Sequence, residues 1–294
     1  GGGVYALGAF TMSGNAAICD CECITGSGRA AGGGVYVSYH NRNTEFTMSG
    51  NAVIENCKVT TSAQNGWTKS CAGGVLVSSR SSLTLKDQAA IRKCSAKNTS
   101  GGATHGGGIF ARGTLAIAGS AEVGENCTAG IGSGIYLEVP SYSSASENLY
   151  ANGGVIAGEV VLNNSSNYGG TIKITSSNEG TTEFKGSVLN NGGTIEKGTF
   201  NDAVKNNSII NSGTFNGAVT GSGTVSGSIT GSGTLNGKPI TQTPEPEPAA
   251  EKKRSRLPSG IRVLLYVCCV LAVSVLLAVF AWRCADDVLS LTKQ

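Results

Sequence analysis

Short apolar stretches, each bounded by Gly, Asn or Ser, recur along the first half of the chain. The clearest follows a glycine cluster in Gly32–Tyr36 (GGGVY), and related copies begin at Gly1, Gly73, Gly106 and Gly132. Each stretch is too short for a helix, and its β-branched and aromatic residues are typical of strands. Copies that recur within about 20 to 50 residues indicate stacked structural repeats.

Two further elements follow each glycine cluster. The second reads FTMSGNA at Phe10–Ala16 and again at Phe46–Ala52, with weaker copies that begin at Leu83 and Leu115. In the third, an aliphatic residue precedes a cysteine, in the pairs Ile18/Cys21, Ile54/Cys57, Ile91/Cys94 and Val123/Cys127. Three short strands per unit bury their apolar faces only when units stack, which predicts an all-β, parallel β-helix over residues 1–150. The unequal spacing of the units predicts loops of different length at one corner.

These repeats resemble those of polymorphic outer-membrane-protein-like adhesins. Similar repeats occur in large surface proteins of anaerobic bacteria. The resemblance covers residues 1–138 and rests on the Gly-Gly-x-Val/Ile-Tyr/Phe and Phe-Thr-Met-Ser-Gly-Asn elements. It implies a right-handed parallel β-helix used for display or adhesion. The same coils occur in adhesins, autotransporter passengers and polysaccharide lyases, so the fold alone does not define a function.

The repeat becomes shorter over residues 151–240. Gly-Thr followed by an apolar residue recurs at Gly198, Gly213, Gly223 and Gly233, and the last two steps are ten residues long. Alternation of Thr with apolar residues predicts thin solenoid coils with one apolar and one hydroxyl-bearing face. Asn and Thr are expected to stack in polar ladders along the axis. Two interpretations stand side by side: a spacer that lifts residues 1–150 from an anchor, or simply a narrower β-helix.

The composition excludes two classes of protein. The 294 residues include 44 Gly and 6 Pro without a three-residue period, which excludes collagen. The net charge of +3 is small and dispersed, so no nucleic-acid partner is expected. The hydrophobic content of 39% is enough to form a core despite only 14% charged residues.

Residues beyond 240 have a different character. Residues 241–260 contain the run TPEPEP, typical of an extended linker, and then a basic group. Residues 261–283 include the uncharged apolar run from Val263 to Trp282, long enough to cross a bilayer core of about 30 Å. We therefore expect a single transmembrane helix over 261–283, with the lipid bilayer as its partner.

The charges around the predicted span conflict with surface display. The basic residues before it outnumber those after it, namely Lys252, Lys253, Arg254, Arg256 and Arg262 against Arg283 and Lys293. The positive-inside rule then favours a cytoplasmic N-terminal side. An adhesin needs an extracellular β-helix, and long translocated domains largely ignore the rule. We expect a single-pass membrane protein whose β-helix is extracellular.

A second resemblance sharpens that conflict. The tail from Arg262 to Lys293 resembles the N-terminal membrane anchor of bacterial endolytic transglycosylases, which hold their N-terminus in the cytoplasm. It implies that the chain continues past Gln294, that residues 284–294 are a truncated tail, and that the catalytic residues lie outside this sequence.

Few residues indicate catalysis. Lyases and hydrolases on this fold need clustered carboxylates on neighbouring coils. The aspartates are dispersed, and the glutamate pairs Glu45/Glu55 and Glu122/Glu125 are interpreted as solvated charges. The two histidines, His40 and His105, are placed in loops beside the glycine elements. We predict a protein that is not an enzyme, with no catalytic, cofactor-binding or metal-binding residues and no cofactor.

The cysteines allow three interpretations. Cys19, Cys21 and Cys23 alternate, which would place three thiols on one face of a strand and suit a soft metal. The favoured interpretation is a buried, inert ladder of Cys21, Cys57, Cys94 and Cys127, which share one repeat position. Inter-coil disulfides, with Cys71 as a candidate partner, are the third interpretation for an exported protein.

The expected function is surface display, adhesion, or binding of a glycan or protein by a membrane-anchored β-helix. The alternatives are the N-terminal and anchor portion of a fused or truncated cell-envelope endolytic transglycosylase-like protein, and a β-helix polysaccharide lyase or hydrolase. The expected binding surface comprises the Tyr and Phe residues near the glycine elements and the loops around His40, Trp67 and Tyr142. Tyr5 and Tyr36 are expected in the core.

Overall fold

A computed structural model describes residues 1–26, 30–39, 44–62, 70–176 and 181–240. The described residues all belong to one compact unit, Gly1–Thr243. The predicted linker, transmembrane helix and tail (241–294) lie outside the described residues, as do His40 and Trp67. In the part of the chain that is described, no helix is long and apolar enough to cross a membrane.

Strands make up the regular structure of the described residues, and they fall into ten successive coils. The first five coils contain β1 Val4–Ala6, β2 Phe10–Met12, β3 Ala17–Cys19, β4 Glu22–Thr25; β5 Val35–Val37, β6 Glu45–Met48, β7 Val53–Glu55, β8 Lys58–Thr61, β9 Ser70–Cys71; β10 Val75–Val77, β11 Ser82–Leu85, β12 Ala90–Arg92, β13 Ser95–Asn98, β14 Thr104–His105; β15 Ile109–Ala111, β16 Thr114–Val123; and β17 Ile135–Val139, β18 Ser146–Ile156.

The remaining five coils are shorter. They contain β19 Val160–Asn164, β20 Thr171–Thr175, β21 Glu183–Phe184; β22 Val188–Asn191, β23 Thr194–Ile195, β24 Thr199–Phe200; β25 Val204–Asn206, β26 Ile209–Ile210, β27 Gly213–Phe215; β28 Ala218–Thr220, β29 Thr224–Val225, β30 Ile229–Thr230; and β31 Thr234–Leu235, β32 Lys238–Pro239.

Long parallel sheets connect the coils. Sheet A has the order β1-β5-β10-β15-β17-β19-β22-β25-β28-β31-β32, and the 16-stranded sheet B contains β2-β6-β11-β16-β18-β20-β23-β26-β29 with β3, β7, β12, β21, β24, β27 and β30. Sheet C joins β4, β8 and β13, and sheet D joins β9 and β14. Every ladder is parallel except β31–β32. The all-β class is confirmed, and the sheets are consistent with a β-helix.

The interior is built from columns of like apolar residues. Val35, Val75 and Ile109 of sheet A pair in register, as do Phe46, Leu83 and Leu115 of sheet B. All six are buried. One apolar cluster runs from Met12 to Val219, so the same interior continues on both sides of residue 150. Stacking therefore supplies the burial that no single coil could provide.

The glycine element and the cysteine element repeat together because they are in contact. A Cβ on Gly34 would lie 2.7 Å from Ile54 Cγ2 and 3.2 Å from Cys57 Sγ, so only glycine leaves room for this pair. Gly74 has the same relation to the next aliphatic–cysteine pair. The buried cysteine ladder is confirmed for Cys57, Cys94 and Cys127, while Cys21 is half-buried.

The proposed row of Cys19, Cys21 and Cys23 on one strand is wrong. Cys19 ends β3, and Asp20 then turns the backbone with φ +56° before β4 begins at Glu22. The residue before each later cysteine of the ladder also has a left-handed backbone conformation, as seen at Asn56, Lys93 and Asn126. Asn and Asp tolerate this conformation best among residues with a side chain. This corner separates sheet B from sheet C.

Tyr5 and Tyr36 do not lie in the core, contrary to the prediction. Val35 and Val37 point inward, so the alternation of a strand directs Tyr36 outward. Tyr5 is 54% exposed and pairs with Tyr36 on the outer face of sheet A. Further along this face an outer apolar cluster forms, with members Ala31, Cys71, Ala72, Leu76, Phe110, Tyr136 and Val161. Cys71 thus belongs to this cluster, and the described cysteines are thiols in the structure.

The first three coils contain more strands than the three predicted per unit, whereas the fourth and fifth contain two each. Coils two and three have five each, because Lys58–Thr61, Ser95–Asn98 and the short strands of sheet D also pair. Loop length also varies at two corners rather than one: between sheets A and B, and between sheets C and D.

The narrow coils close to 15 or 16 residues per turn. Phe184, Phe200 and Phe215 stack with ring centroids 4.7 and 4.9 Å apart. The predicted polar ladders are present, for example Asn201 with Asn216 and Thr214 with Thr230. The ten-residue steps are not coils, because Thr224 belongs to sheet B and Thr234 to sheet A. Asn236 and Gly237 have positive φ and turn the chain into the antiparallel β32.

Candidate binding site

A notch interrupts the corner between sheets A and B. In the fourth coil only Arg112 and Gly113 connect β15 to β16, whereas the neighbouring coils have the longer turns Ser78–Ser81 and Pro140–Ala145. A short turn between longer ones leaves a cavity of about 390 Å³. Its lining residues are Glu45, Arg80, Ser81, Ser82, Gly113, Thr114, Ala145, Ser146 and Glu147.

The floor of the notch carries two buried polar side chains from different coils. Ser81 is 4% exposed and Glu147 is 3% exposed. Gly113, in the coil between them, has no side chain, and a Cβ there would lie 2.1 Å from the Ser81 carbonyl oxygen. Glycine at this position therefore keeps the turn tight and the floor open.

Neither floor group is satisfied by the residues that the structure describes. The Ser81 hydroxyl has no hydrogen-bond partner among the described residues. Over the same residues the Glu147 carboxyl has no hydrogen bond or ion pair, and burial alone raises its pKa to about 7. Buried polar groups are normally paired, so two unpaired groups in one cavity indicate a place for a ligand.

The rim is polar, and an aromatic ring contacts one of its residues. Arg80 has φ +62°, and its guanidinium lies 5.4 Å from the ring centroid of Tyr39 and donates to the Tyr39 hydroxyl at 3.3 Å. Glu45, the first residue of β6, is exposed and lies in the same coil as Tyr39. Hydroxyl groups of Ser82, Thr114 and Ser146 complete the rim. The notch therefore offers donors, acceptors and charge at its mouth.

The same corner exposes two further tyrosines. Tyr142 is 72% exposed and Tyr168 is 68% exposed, in turns that follow β17 and β19. The turns are held together because Ser166 Oγ donates to the Ser143 carbonyl and Asn167 N donates to the Ser141 carbonyl. Exposed rings on a fixed turn provide flat apolar surfaces.

The other residues considered from the sequence have separate surroundings. Glu55 pairs with Lys93 at 2.6 Å and Arg92 at 3.1 Å, and these two hydrogen bonds lower the pKa of its carboxyl.

His105 lies in β14 rather than in a loop, 4% exposed, with its ring 4.6 Å from that of Tyr136. Phe110 and Tyr136 are buried, so the aromatic row offers mainly Tyr5 and Tyr36 to solvent. Among the described residues, no group of three or more His, Cys, Asp or Glu could hold a metal.

Comparison of the chain with protein-family models, with curated proteins and with solved structures finds no match.

Sequence reasoning missed the residues of the notch. Ser81, Gly113 and Glu147 come from three coils and share no motif. One feature of the sequence does indicate Glu147. It alternates with Leu149 and Ala151 along one strand, so all three side chains are expected on the same, buried face. A carboxylate at an inward position is the kind of exception that marks functional sites.

Proposed function

We propose that the chain is a membrane-anchored, right-handed parallel β-helix that displays a saccharide-binding corner outside the cell and carries out no catalysis there. The observation that carries this proposal is the notch with its unsatisfied floor groups and hydroxyl rim. Saccharides present many hydroxyl groups together with apolar C–H faces. A cavity with a few convergent polar groups beside exposed aromatic rings suits both.

The geometry favours binding over glycoside cleavage. Glu45 and Glu147 are the two carboxylates of the notch, and their strands are separated by three steps in sheet B, β6-β11-β16-β18. At about 4.8 Å per step their backbones lie roughly 14 Å apart. Paired glycosidase carboxylates lie about 5 to 9.5 Å apart. Glu45 lies on the exposed face of its strand and Glu147 on the buried face of its own, so the two carboxyl groups are not arranged as a facing pair. This arrangement supports a non-catalytic role over the lyase or hydrolase alternative.

The membrane part of the proposal rests on the sequence of residues 261–283. The uncharged run from Val263 to Trp282 is long enough to partition into lipid, and residues 241–260 provide a linker between it and the solenoid. The excess of basic residues before the span favours the competing proposal, an envelope-enzyme anchor with a cytoplasmic N-terminal side. The two proposals differ in where the notch is found.

A glycan array tests the binding proposal. The labelled full chain in detergent is compared with a Tyr142→Ala/Tyr168→Ala variant, and Tyr5→Ala serves as a matched control because Tyr5 is also exposed but lies away from the corner. We expect a defined saccharide class to bind, with about tenfold or greater loss in the double variant and none in the control. Absence of saccharide binding, or release of cleaved products, would contradict the proposal.

A further inference from the structure

We propose that the notch selects saccharides that carry a free amino group, whose ammonium pairs with the Glu147 carboxylate while a sugar hydroxyl contacts Ser81. This inference rests on the proposed saccharide binding and specifies the ligand's chemistry. It is argued from four observations: the burial of the two floor groups, their lack of partners, the charge around the notch, and the hydroxyl groups of its rim.

The Glu147 carboxyl is the group of the notch that would contribute most to the binding free energy of a cationic ligand. Removing a carboxylate from water without a partner is costly, and the cost is recovered only when a donor or a cation arrives. The structure leaves Glu147 3% exposed with no hydrogen bond or ion pair among the described residues. An ammonium group supplies both charge and donors, and charge-assisted hydrogen bonds are about twice as strong as neutral ones.

The charge balance around the notch also favours a cationic ligand. Glu45 adds a second carboxylate, and Arg80 is the only cation among the described residues that line the notch. The Arg80 guanidinium is held against Tyr39 by a hydrogen bond and by stacking, so it is directed to the rim and away from the floor. An acidic or sulfated sugar would meet two carboxylates, whereas an amino sugar would not.

The second floor group and the rim distinguish a sugar from a simple amine. Ser81 Oγ is buried and unpaired among the described residues, and it needs a hydroxyl-type partner. Ser82, Thr114 and Ser146 present further hydroxyls at the mouth. A lysine side chain carries one ammonium on an apolar stem and would leave these groups unmatched. A hexosamine carries the ammonium and several hydroxyls on one ring.

Two matched probes test the inference by calorimetry on the full chain. A glucosamine tetrasaccharide carries free amines, and its N-acetylated counterpart has the same backbone without them. We expect the free-amine probe to bind about tenfold or more tightly, in the range of a hydrogen bond to a charged group. Glu147→Gln should abolish this preference. Glu22→Gln, which removes an exposed carboxylate of sheet C outside the notch lining, should leave the preference unchanged.

Two controls separate the role of Glu147 from an effect on folding. The thermal unfolding temperature of Glu147→Gln must equal or exceed that of the unchanged protein. Ser81→Ala should weaken both probes by a similar factor and leave the preference intact, because Ser81 is assigned to a hydroxyl and not to the amine.

The outcomes distinguish this inference from the proposed function. Equal affinity for the two probes, or a preference that survives Glu147→Gln, would overturn amine selection and leave saccharide binding intact. Binding of a lysine-rich peptide that depends on Glu147, with no saccharide bound, would overturn both.

Discussion

Asn190 donates a hydrogen bond from Nδ2 to Oδ1 of Asn206, 2.8 Å away, inside the narrow coils. Both side chains are buried. The Asn206 amide donates in turn to the Thr224 carbonyl at 3.2 Å, and its Oδ1 accepts from Ser208 N at 3.3 Å. Each amide thus satisfies backbone and side-chain groups of its own coil and of the adjacent one, so the ladder holds successive coils in register.

Replacing Asn206 should break this ladder. Asn206→Leu removes the partners of Asn190, Ser208 and Thr224, and each buried polar group left unpaired costs about 1–3 kcal/mol. We expect the free energy of unfolding in urea to fall by about 2–4 kcal/mol. Asn191→Ala is the control, since this exposed neighbour makes one hydrogen bond at 3.3 Å and should cost less than about 0.5 kcal/mol. Equal losses in the two variants would contradict the ladder's role.

The left-handed corner before the cysteines gives a second prediction. Asn56 is exposed with φ +55°, so its contribution is conformational. Asn56→Val places a β-branched residue in this region and should lower the free energy of unfolding by about 1–2 kcal/mol. Asn56→Gly should leave it within about 0.5 kcal/mol. Urea titration of both variants checks this, and the idea fails if valine and glycine behave alike.

The cysteine ladder predicts a contrast in thiol reactivity. Hydrogen bonds with Cys127 and Cys57, followed by burial, raise the pKa of Cys94, whereas Cys19 is exposed. With iodoacetamide at about pH 8.5, peptide mass spectrometry should find Cys19 modified in the native protein and Cys94 modified only after unfolding. Modification of both at the same rate would show that the ladder is open to solvent.

Glu147 makes stability depend on pH. Its folded pKa is raised to about 7 from an ordinary value of 4.5, so the folded state binds the proton more tightly than the unfolded state. The penalty is absent below pH 4.5 and grows as pH rises from 4.5 to 7, to on the order of 3 kcal/mol at 1.4 kcal/mol per unit. Urea unfolding at pH 5 and pH 8 should reveal this decline.

The control for that prediction is Glu147→Gln, which cannot ionise. We expect it to exceed the unchanged protein in stability at pH 8 and to match it near pH 4.5. The other charged residues among the described residues that line the notch are Glu45 and Arg80, both exposed and therefore screened. Parallel pH profiles for the two proteins would rule out a buried, unpaired carboxyl at this position.

The sequence predicted the fold where like residues stack. The glycine, FTMSGN and cysteine elements repeat because Val35 meets Val75, Phe46 meets Leu83, and Gly34 faces Cys57. It missed β8 and β13, where polar residues such as Lys58 and Lys97 hide the alternation.

The notch was beyond prediction from the sequence for a different reason. It depends on Arg112 and Gly113 forming a turn shorter than those of the adjacent coils, and on Ser81 and Glu147 facing the same gap. Those residues are far apart along the chain, and only the register of sheet B brings them together. The anchor and its orientation stay predictions.

Protease shaving of intact cells that express the complete gene tests the central claim, display of the solenoid outside the cell. Peptides from residues 1–240 are measured before and after lysis, with a cytoplasmic protein as the control for leakage. The proposal predicts that these peptides are released from intact cells. If they appear only after lysis, the notch faces the cytoplasm, surface display is contradicted, and the envelope-enzyme anchor is the better account.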